Sequence, residues 1–267
     1  VSMIAQVPFQ RGAATGLWAA LDEEAMPNLQ YAREQLLNRG ADGELIGVGA
    51  VSWYITLVTN TDVIPEAPTT WADMWGDRPN QLGLLALPAN SFLLEVTATT
   101  FFGGTDILST QDGIKQVIGK LEELGDNVQL WYRDEGQFQQ ALQSGEIPMG
   151  QYYHDVTGLA AADGFPVRST FPQEGGVLDS GSWAVTRASD KLEEAQIFIN
   201  WFMQPRVQDL VARSIGTAPT VEREHLSLSD EEFAAVSSEI APIIPRYDIY
   251  LEFGDWINQI WSERITR

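Results

Sequence analysis

The residues of this chain best equipped for chemistry are few, and they sit where apolar stretches end. Tyr152-Tyr153-His154-Asp155 closes an apolar stretch that begins at Pro148. An aromatic face there can stack on a flat ligand or hold an amine by cation–π attraction. Side chains alternate along a strand, so only one tyrosine of the pair need face a ligand. The competing reading puts one tyrosine in the core and makes Asp155 a helix cap. Asn90-Ser91 lies between the stretch Leu82–Leu87 and a helical pattern that starts at Phe92. The N–H groups free at a helix start can bind a carboxylate or phosphate, and a plain N-cap is the alternative. Catalysis is poorly served. The chain has two histidines and no cysteine, and it carries no G-x-S-x-G elbow, H-E-x-x-H helix, P-loop or G-x-G-x-x-G fingerprint. A hydrolase triad would have to combine His154 with a serine such as Ser182 and an acid. The pattern favours binding over catalysis, with no cofactor and no metal called for.

Composition narrows the partners. The 267 residues are 44% hydrophobic and 10% aromatic, enough for two modest lobes or one large domain with a true core. With 16 Lys+Arg against 37 Asp+Glu the net charge is −21. Nucleic acid is not expected, because neutralising phosphates needs a basic face. A solvated acidic surface keeping a monomer soluble is the plain reading of that charge. The lack of cysteine removes disulfides, thiolate metal sites and a Cys nucleophile, and it fits export to an oxidising space. No run approaches the roughly 20 apolar residues of a membrane span. The chain opens in an apparent strand without a signal peptide, so a segment upstream is expected to have been removed.

The elements that would position these residues alternate in kind. Strands are expected at Val1–Val7, Leu45–Thr59 (as two short strands or one bent one), Leu82–Leu87, Val128–Tyr132, Pro148–Tyr153, Pro166–Phe171 and Ser182–Thr186. Phe9–Thr15 reads as a loop, Asp134-Glu135 as a surface turn. Helices are expected at Asn28–Asn38, Phe92–Phe102, Thr110–Leu124, Gln137–Gln143 and Val156–Ala162, with Trp- and Ile-rich helices from Ser229 to Arg267. Thr70 and Asp73 form a capping-box pattern, as do Asp190 and Glu193. Ile114, Val117, Ile118, Leu121 and Leu124 share one helical face, with Ser109 and Asp112 as caps and Gly125 as the stop. Pro205 suits the first turn of a helix whose buried stripe is Val207, Leu210 and Val211. Trp201, Trp256 and Trp261 read as core. Strand–helix alternation implies α/β architecture with parallel or mixed sheets.

Four of these segments also resemble a known family. Thr69–Trp75 (TTWADMW) resembles the TSWADLW element of bacterial extracellular solute-binding proteins of the spermidine/putrescine-binding type. Phe171–Gly176 (FPQEGG) is similar to their WPKEGG turn, Glu194–Gln208 to their EGALKLINFLLRPDVAK helix pair, and Ile215–Thr220 (IGTAPT) to their IGYPTP turn. The likeness covers nearly the whole chain in the same order.

The resemblance implies a type II periplasmic-binding-protein fold, with two α/β lobes hinged around a solute and an inner-membrane ABC permease as partner. It implies a periplasmic location, with the first strand-helix-strand portion of lobe 1 missing before Val1. Lobe 1 would comprise residues 1–58 and 180–223 and lobe 2 residues 59–179, with 224–267 returning to lobe 2. The resemblance places Tyr153 where the family has an aromatic platform, flanked by His154 and Asp155. It places Asp179 and Ser182 at the second crossover, where an acidic group meets the ligand. Gln6 and Phe9 correspond to a cleft loop, Trp53 lies near the first crossover, and Thr217 would offer backbone groups. The loop at Asn90-Ser91 lacks the carboxylates with which polyamine binders hold ammonium groups. The implied function is capture of a small polar solute, amine- or amino-acid-like. Tyr152-Tyr153 is also similar to the tyrosinate pair of ferric-ion-binding relatives, with His154 and Asp155 as further ligands.

Overall fold

The computed structural model describes residues 1–266, which pack as two compact units. Unit 1 joins Val1–Trp53 to Asp179–Ser237, and unit 2 joins Tyr54–Leu178 to the chain from Ser238 onward. Within the C-terminal stretch expected to return to the second lobe, Arg267 lies outside the described residues. Eight strands occur among the described residues: β1 (Ser2–Ala5), β2 (Leu37–Arg39), β3 (Leu45–Asn60), β4 (Leu82–Leu85), β5 (Val128–Tyr132), β6 (Met149–Tyr153), β7 (Val167–Thr170) and β8 (Val177–Ala184). β3 is one continuous strand, almost wholly buried, and it begins in unit 1 and ends in unit 2.

In unit 1, β1 lies antiparallel to β8, with Ala5 opposite Gly181 and Ser2 opposite Ala184. The strand expected to reach Val7 stops at Ala5, and the expected loop Phe9–Thr15 is instead a helix, Gln6–Ala14. Tertiary packing explains the difference. Phe9 stacks on Trp18 at 5.6 Å, and the Trp18 indole N–H donates to the Phe9 carbonyl. The expected helix Asn28–Asn38 is two 3₁₀ turns, Pro27–Tyr31 and Glu34–Leu36, running into β2. Partners distant in sequence hold that path: Asn28 donates its backbone N–H to Asn200 Oδ1 and its side-chain amide to the Asn200 carbonyl, and the Arg33 N–H donates to the Thr220 carbonyl. The helix Leu192–Phe202 has Lys191 at its N-cap without a side-chain bond, so Asp190 and Glu193 form no capping box. Trp201 is 46% exposed rather than core, and Leu210 is 62% exposed, leaving Val207 and Ala212 as the apolar contacts of helix Pro205–Ile215.

In unit 2, β4 pairs parallel with both β5 and β6, and β6 pairs antiparallel with the second half of β3. The sheet is therefore mixed, and the carboxyl ends of β4, β5 and β6 lie along one edge. Ile114, Val117, Ile118 and Leu121 are buried together on helix Gln111–Leu121, as their spacing predicts. Its cap is the Thr110 hydroxyl, which accepts from the Gly113 N–H, rather than Ser109 or Asp112. The chain continues past Leu121 as 3₁₀ turns to Asn127, so Gly125 does not terminate the helix.

Two segments noted in the sequence are one object in this unit. Thr70 and Asp73 form the capping box of the turn Trp71–Trp75. Glu174 then docks on the same turn end: its carboxylate accepts from the Thr70 hydroxyl and from the Trp71 N–H at 3.2 Å. The Trp71 indole N–H donates to the Gly175 carbonyl at 2.8 Å, and the Gln173 N–H to the Thr69 carbonyl at 2.9 Å. A carboxylate at a turn's free N–H groups is favourable both as a hydrogen bond and electrostatically. The pair of segments is a latch, not a ligand site.

Candidate functional site

Unit 2 assembles its polar groups where parallel strands end, the edge on which open α/β sheets bind ligands. β4 ends in Leu87 and the short helical turn Pro88–Ser91, β5 in Asp134-Glu135, and β6 in Tyr153-His154-Asp155. The Tyr152 and Tyr153 rings lie 5.2 Å apart and both hydroxyls reach Glu135, Tyr152 on its carbonyl and Tyr153 on its carboxylate. Tyr152 is 3% exposed and packs with Tyr132 and Phe138. Tyr153 remains half-buried, and its hydroxyl donates to Glu135 Oε1 at 2.7 Å. Glu135, expected in a mere surface turn, is exposed in the first turn of helix Glu135–Ser144, capped by Asp134. Asp155 is half-buried in the first turn of helix His154–Ala162, and its Oδ1 is buried without a hydrogen-bond partner. Burial raises its carboxyl above the ordinary range, against two backbone hydrogen bonds that lower it. Asp134, Glu135 and Asp155 enter no ion pair among the described residues, so this edge is strongly negative.

His154 serves the architecture. It is 9% exposed, its Nδ1 lies 2.8 Å from Ser169 Oγ, and Ser169 in turn bonds Thr56 at 2.6 Å. Its ring lies 4.6 Å from Phe171. The serine beside the histidine is thus Ser169, already engaged by Thr56, rather than Ser182. Asn90 is exposed, but Ser91 is fully buried. Its hydroxyl bonds Pro88 O and Leu93 N, and its carbonyl accepts from Gln151. The turn ends at Phe92, whose φ of +52° resets the chain before helix Leu93–Phe102. Ser91 therefore has nothing to offer a ligand, and of the expected pair only the Asn90 amide is presented.

Unit 1 gathers a second, uncharged cluster. Gln6 Nε2 donates to Ser180 Oγ at 3.1 Å and to Ser182 Oγ at 2.8 Å, and Asn38 Nδ2 donates to Ser182 Oγ at 2.9 Å. Gln6 is buried, and its Oε1 has no partner. Asp179 lies within β8, half-buried, and its side chain accepts from the Ser180 N–H at 2.8 Å. Alternation along β8 puts it on the face opposite Ser180 and Ser182, so it does not join the Gln6 cluster. Thr217 is half-buried with an unpartnered hydroxyl, beside Ala218, which pairs with Ser52. That pairing brings half-buried Trp53 near it in the fold. Phe9, by contrast, has no exposed surface beneath Trp18 and is a core residue.

Ser180, Asn38, Ser169 and Glu135 were not singled out by sequence. Glu135 alone left a signal, as part of the charged pair just past the end of β5, where strand-end loops carry ligand groups.

The iron reading finds no support. Tyr152 is pushed up to about 12, first by burial and then by the Glu135 charge, and Tyr132 well above its ordinary range for the same first reason. Surroundings that oppose tyrosinate oppose a tyrosinate–iron bond. No group of three or more His, Cys, Asp or Glu among the described residues can hold a metal. Adding ferric iron is expected to produce no visible tyrosinate-to-iron band, and a band abolished in Tyr153→Phe would contradict this.

Comparison with known proteins agrees with the fold. No helix among the described residues is long and apolar enough to cross a membrane. The chain is 26% identical over 179 residues to the gamma-aminobutyric acid-binding protein of Pseudomonas aeruginosa, covering 65% of this chain and 49% of that protein. It is 25% identical over 203 residues to the spermidine/putrescine-binding periplasmic protein of Escherichia coli, covering 75% of this chain and 57% of that protein. It thus spans about half the length of these relatives. An ABC transporter substrate-binding protein from Bradyrhizobium japonicum superposes with a TM-score of 0.82 at 23% identity, over 98% of this chain and 81% of that one. The profile of the family described as bacterial extracellular solute-binding protein matches residues 1–234, and the chain belongs to that family.

Proposed function

We propose that this chain is the solute-capturing component of an ABC importer, and that its solute is a small organic amine of the amino-acid or polyamine class. The observation that carries the reading is the strand-end edge of unit 2. There the Tyr153 ring and phenol stand with the Glu135 carboxylate and the half-buried Asp155 carboxylate, and neither carboxylate enters an ion pair among the described residues. An ammonium group satisfies each of them: it pairs with carboxylate, donates to the unpartnered Asp155 oxygen and lies against an aromatic ring. The names of the two relatives, one binding gamma-aminobutyric acid and one spermidine and putrescine, point to the same chemistry. The turn after β4 offers Ala89, Asn90 and Ser91 and no carboxylate, which favours a solute with one ammonium group over one with several. Asp179 and Thr217 are retained as candidate contacts of unit 1, as are Trp53 in unit 1 and Asn90 in unit 2.

Thermal denaturation with a panel of amines, sugars and organic anions tests the class. A ligand at 100 times its Kd adds about 2.7 kcal/mol to stability, or roughly 5–10 °C in Tm for a chain of this size. The expected result is a shift with amines alone. A shift with sugars or organic anions and none with amines would refute the assignment.

A further inference from the structure

Glu95 occupies the first turn of helix Leu93–Phe102 and has no exposed surface. Both of its carboxyl oxygens are engaged by the C-terminal stretch. The Arg246 amide N–H donates to Oε1 at 2.9 Å, and the Tyr250 hydroxyl donates to Oε2 at 2.9 Å. The surroundings are otherwise rings: Phe92 meets Tyr247 and Tyr250 edge-on, with centroids 6.0 and 6.4 Å apart. The Arg246 guanidinium is taken by the Asp248 carboxylate at 2.8 and 2.7 Å and reaches on to Thr105 O and Ser109 Oγ. Asp106 adds a second negative charge near that guanidinium. Tyr250 is pushed well above its ordinary range, first by burial and then by Glu95, with a smaller effect from Tyr247. The helix that carries Glu95 has no other titratable residue. No cation pairs with Glu95 among the described residues.

We infer that Glu95 is a proton-binding site that sets how firmly the Arg246–Tyr250 stretch is held: the neutral carboxyl locks it in place, and ionisation loosens it. A neutral carboxyl accepts the Arg246 N–H on its carbonyl oxygen and bonds the Tyr250 hydroxyl in either direction, so no polar group is stranded. An ionised one keeps its donors but sits dehydrated without a counter-charge. Burial raises Glu95 from 4.5 to about 7, outweighing the three hydrogen bonds (from the Arg246 and Glu95 amides and the Tyr250 hydroxyl) and the Arg246 charge that lower it. Because the docked state has the higher value, docking takes up a proton. Its contribution is fully present below about pH 4.5 and is lost as pH rises through about 7. The consequence reaches the site edge, since helix Leu93–Phe102 follows directly on Pro88–Ser91. The same C-terminal region also holds the start of that loop, through the Trp261 indole N–H on the Ala86 carbonyl at 2.9 Å. A proton on Glu95 thus braces the turn that presents Asn90.

Amide hydrogen exchange over residues 246–253, corrected for intrinsic rates, tests this between about pH 5.5 and 8.5. In the wild-type chain, protection is expected to fall about tenfold per pH unit from about pH 5.5 up to about 7 and to level off above that. In Glu95→Gln, whose amide keeps both bonds without a charge, it is expected to stay level. Groups that titrate in both chains cancel in the comparison. Should Glu95→Gln fail to fold, Tyr250→Phe serves instead: losing one donor to the carboxylate moves the wild-type transition to higher pH. The inference is overturned if wild-type protection is independent of pH across this range. It is overturned equally if Glu95→Gln retains the wild-type pH dependence, or if Tyr250→Phe leaves the transition in place.

Discussion

Gly175→Ala is expected to destabilise unit 2 by about 2–5 kcal/mol, read as a fall in the denaturant midpoint. Two effects combine. Gly175 has a φ of +94°, which costs an L-residue roughly 1–2 kcal/mol. A Cβ there would meet the Ala241 carbonyl oxygen at 2.1 Å, and forcing atoms into packed structure costs about 1–3 kcal/mol more. The contact is with backbone, so no rotamer change relieves it. Displacing Gly175 also pulls its carbonyl from the Trp71 indole and Glu174 from the Trp71–Trp75 turn. Gly103 provides the control. It has a φ of +77° but nothing within 4 Å of an added Cβ, so Gly103→Ala should lose only the backbone share, about 1–2 kcal/mol. Equal midpoints for the two variants would show that the latch is not tightly packed.

Glu135→Gln should weaken binding of an amine solute about 10- to 100-fold while leaving the melting temperature of the free chain unchanged. A hydrogen bond to a charged group contributes about 1.5–3 kcal/mol, and each 1.4 kcal/mol is a factor of ten. The glutamine oxygen can still accept from Tyr153, so the site keeps its shape and loses its charge. Glu135 is exposed, so folding has little invested in it. Tyr153→Ala removes the ring as well as the phenol and should weaken the same solute by at least tenfold, given about 0.5–2 kcal/mol for cation–π attraction plus the lost contact area. If calorimetry finds Glu135→Gln unaltered in affinity, the ammonium group is held elsewhere.

What the sequence made legible followed from local rules with strong periods. The face Ile114, Val117, Ile118 and Leu121 is buried as its spacing requires, and the Thr70–Asp73 capping box sits where its residues put it. Val128–Tyr132 begins and ends as its apolar pattern predicts. The failures lie where distant partners override local preference. Helix Gln6–Ala14 exists because Phe9 packs under Trp18, and Asn28–Asn38 leaves helical geometry because Asn200 and Thr220 take its backbone groups. The site was legible only in part. Tyr153 and Asp155 stand at a strand end, as their position after an apolar run implies. The strand that carries Asp179 was expected only from Ser182, because Gly181 and the surrounding polar residues mask its start. Ser91 and Phe9 proved to be inside, since burial is a property of the packed unit and not of the segment. Glu135 was passed over because a charged pair after a strand looks like any solvated turn until a phenol is seen to bond it.

The most direct measurement of the central claim is a calorimetric titration of the wild-type chain with 4-aminobutanoate and, separately, with its N-acetyl derivative. Acetylation removes the positive charge and leaves the carbon chain and carboxylate in place. If Glu135, Asp155 and Tyr153 form an ammonium site, the amine binds with measurable heat and the acetylated compound binds at least tenfold more weakly. Equal binding of the two, or binding of the acetylated compound alone, would contradict the account.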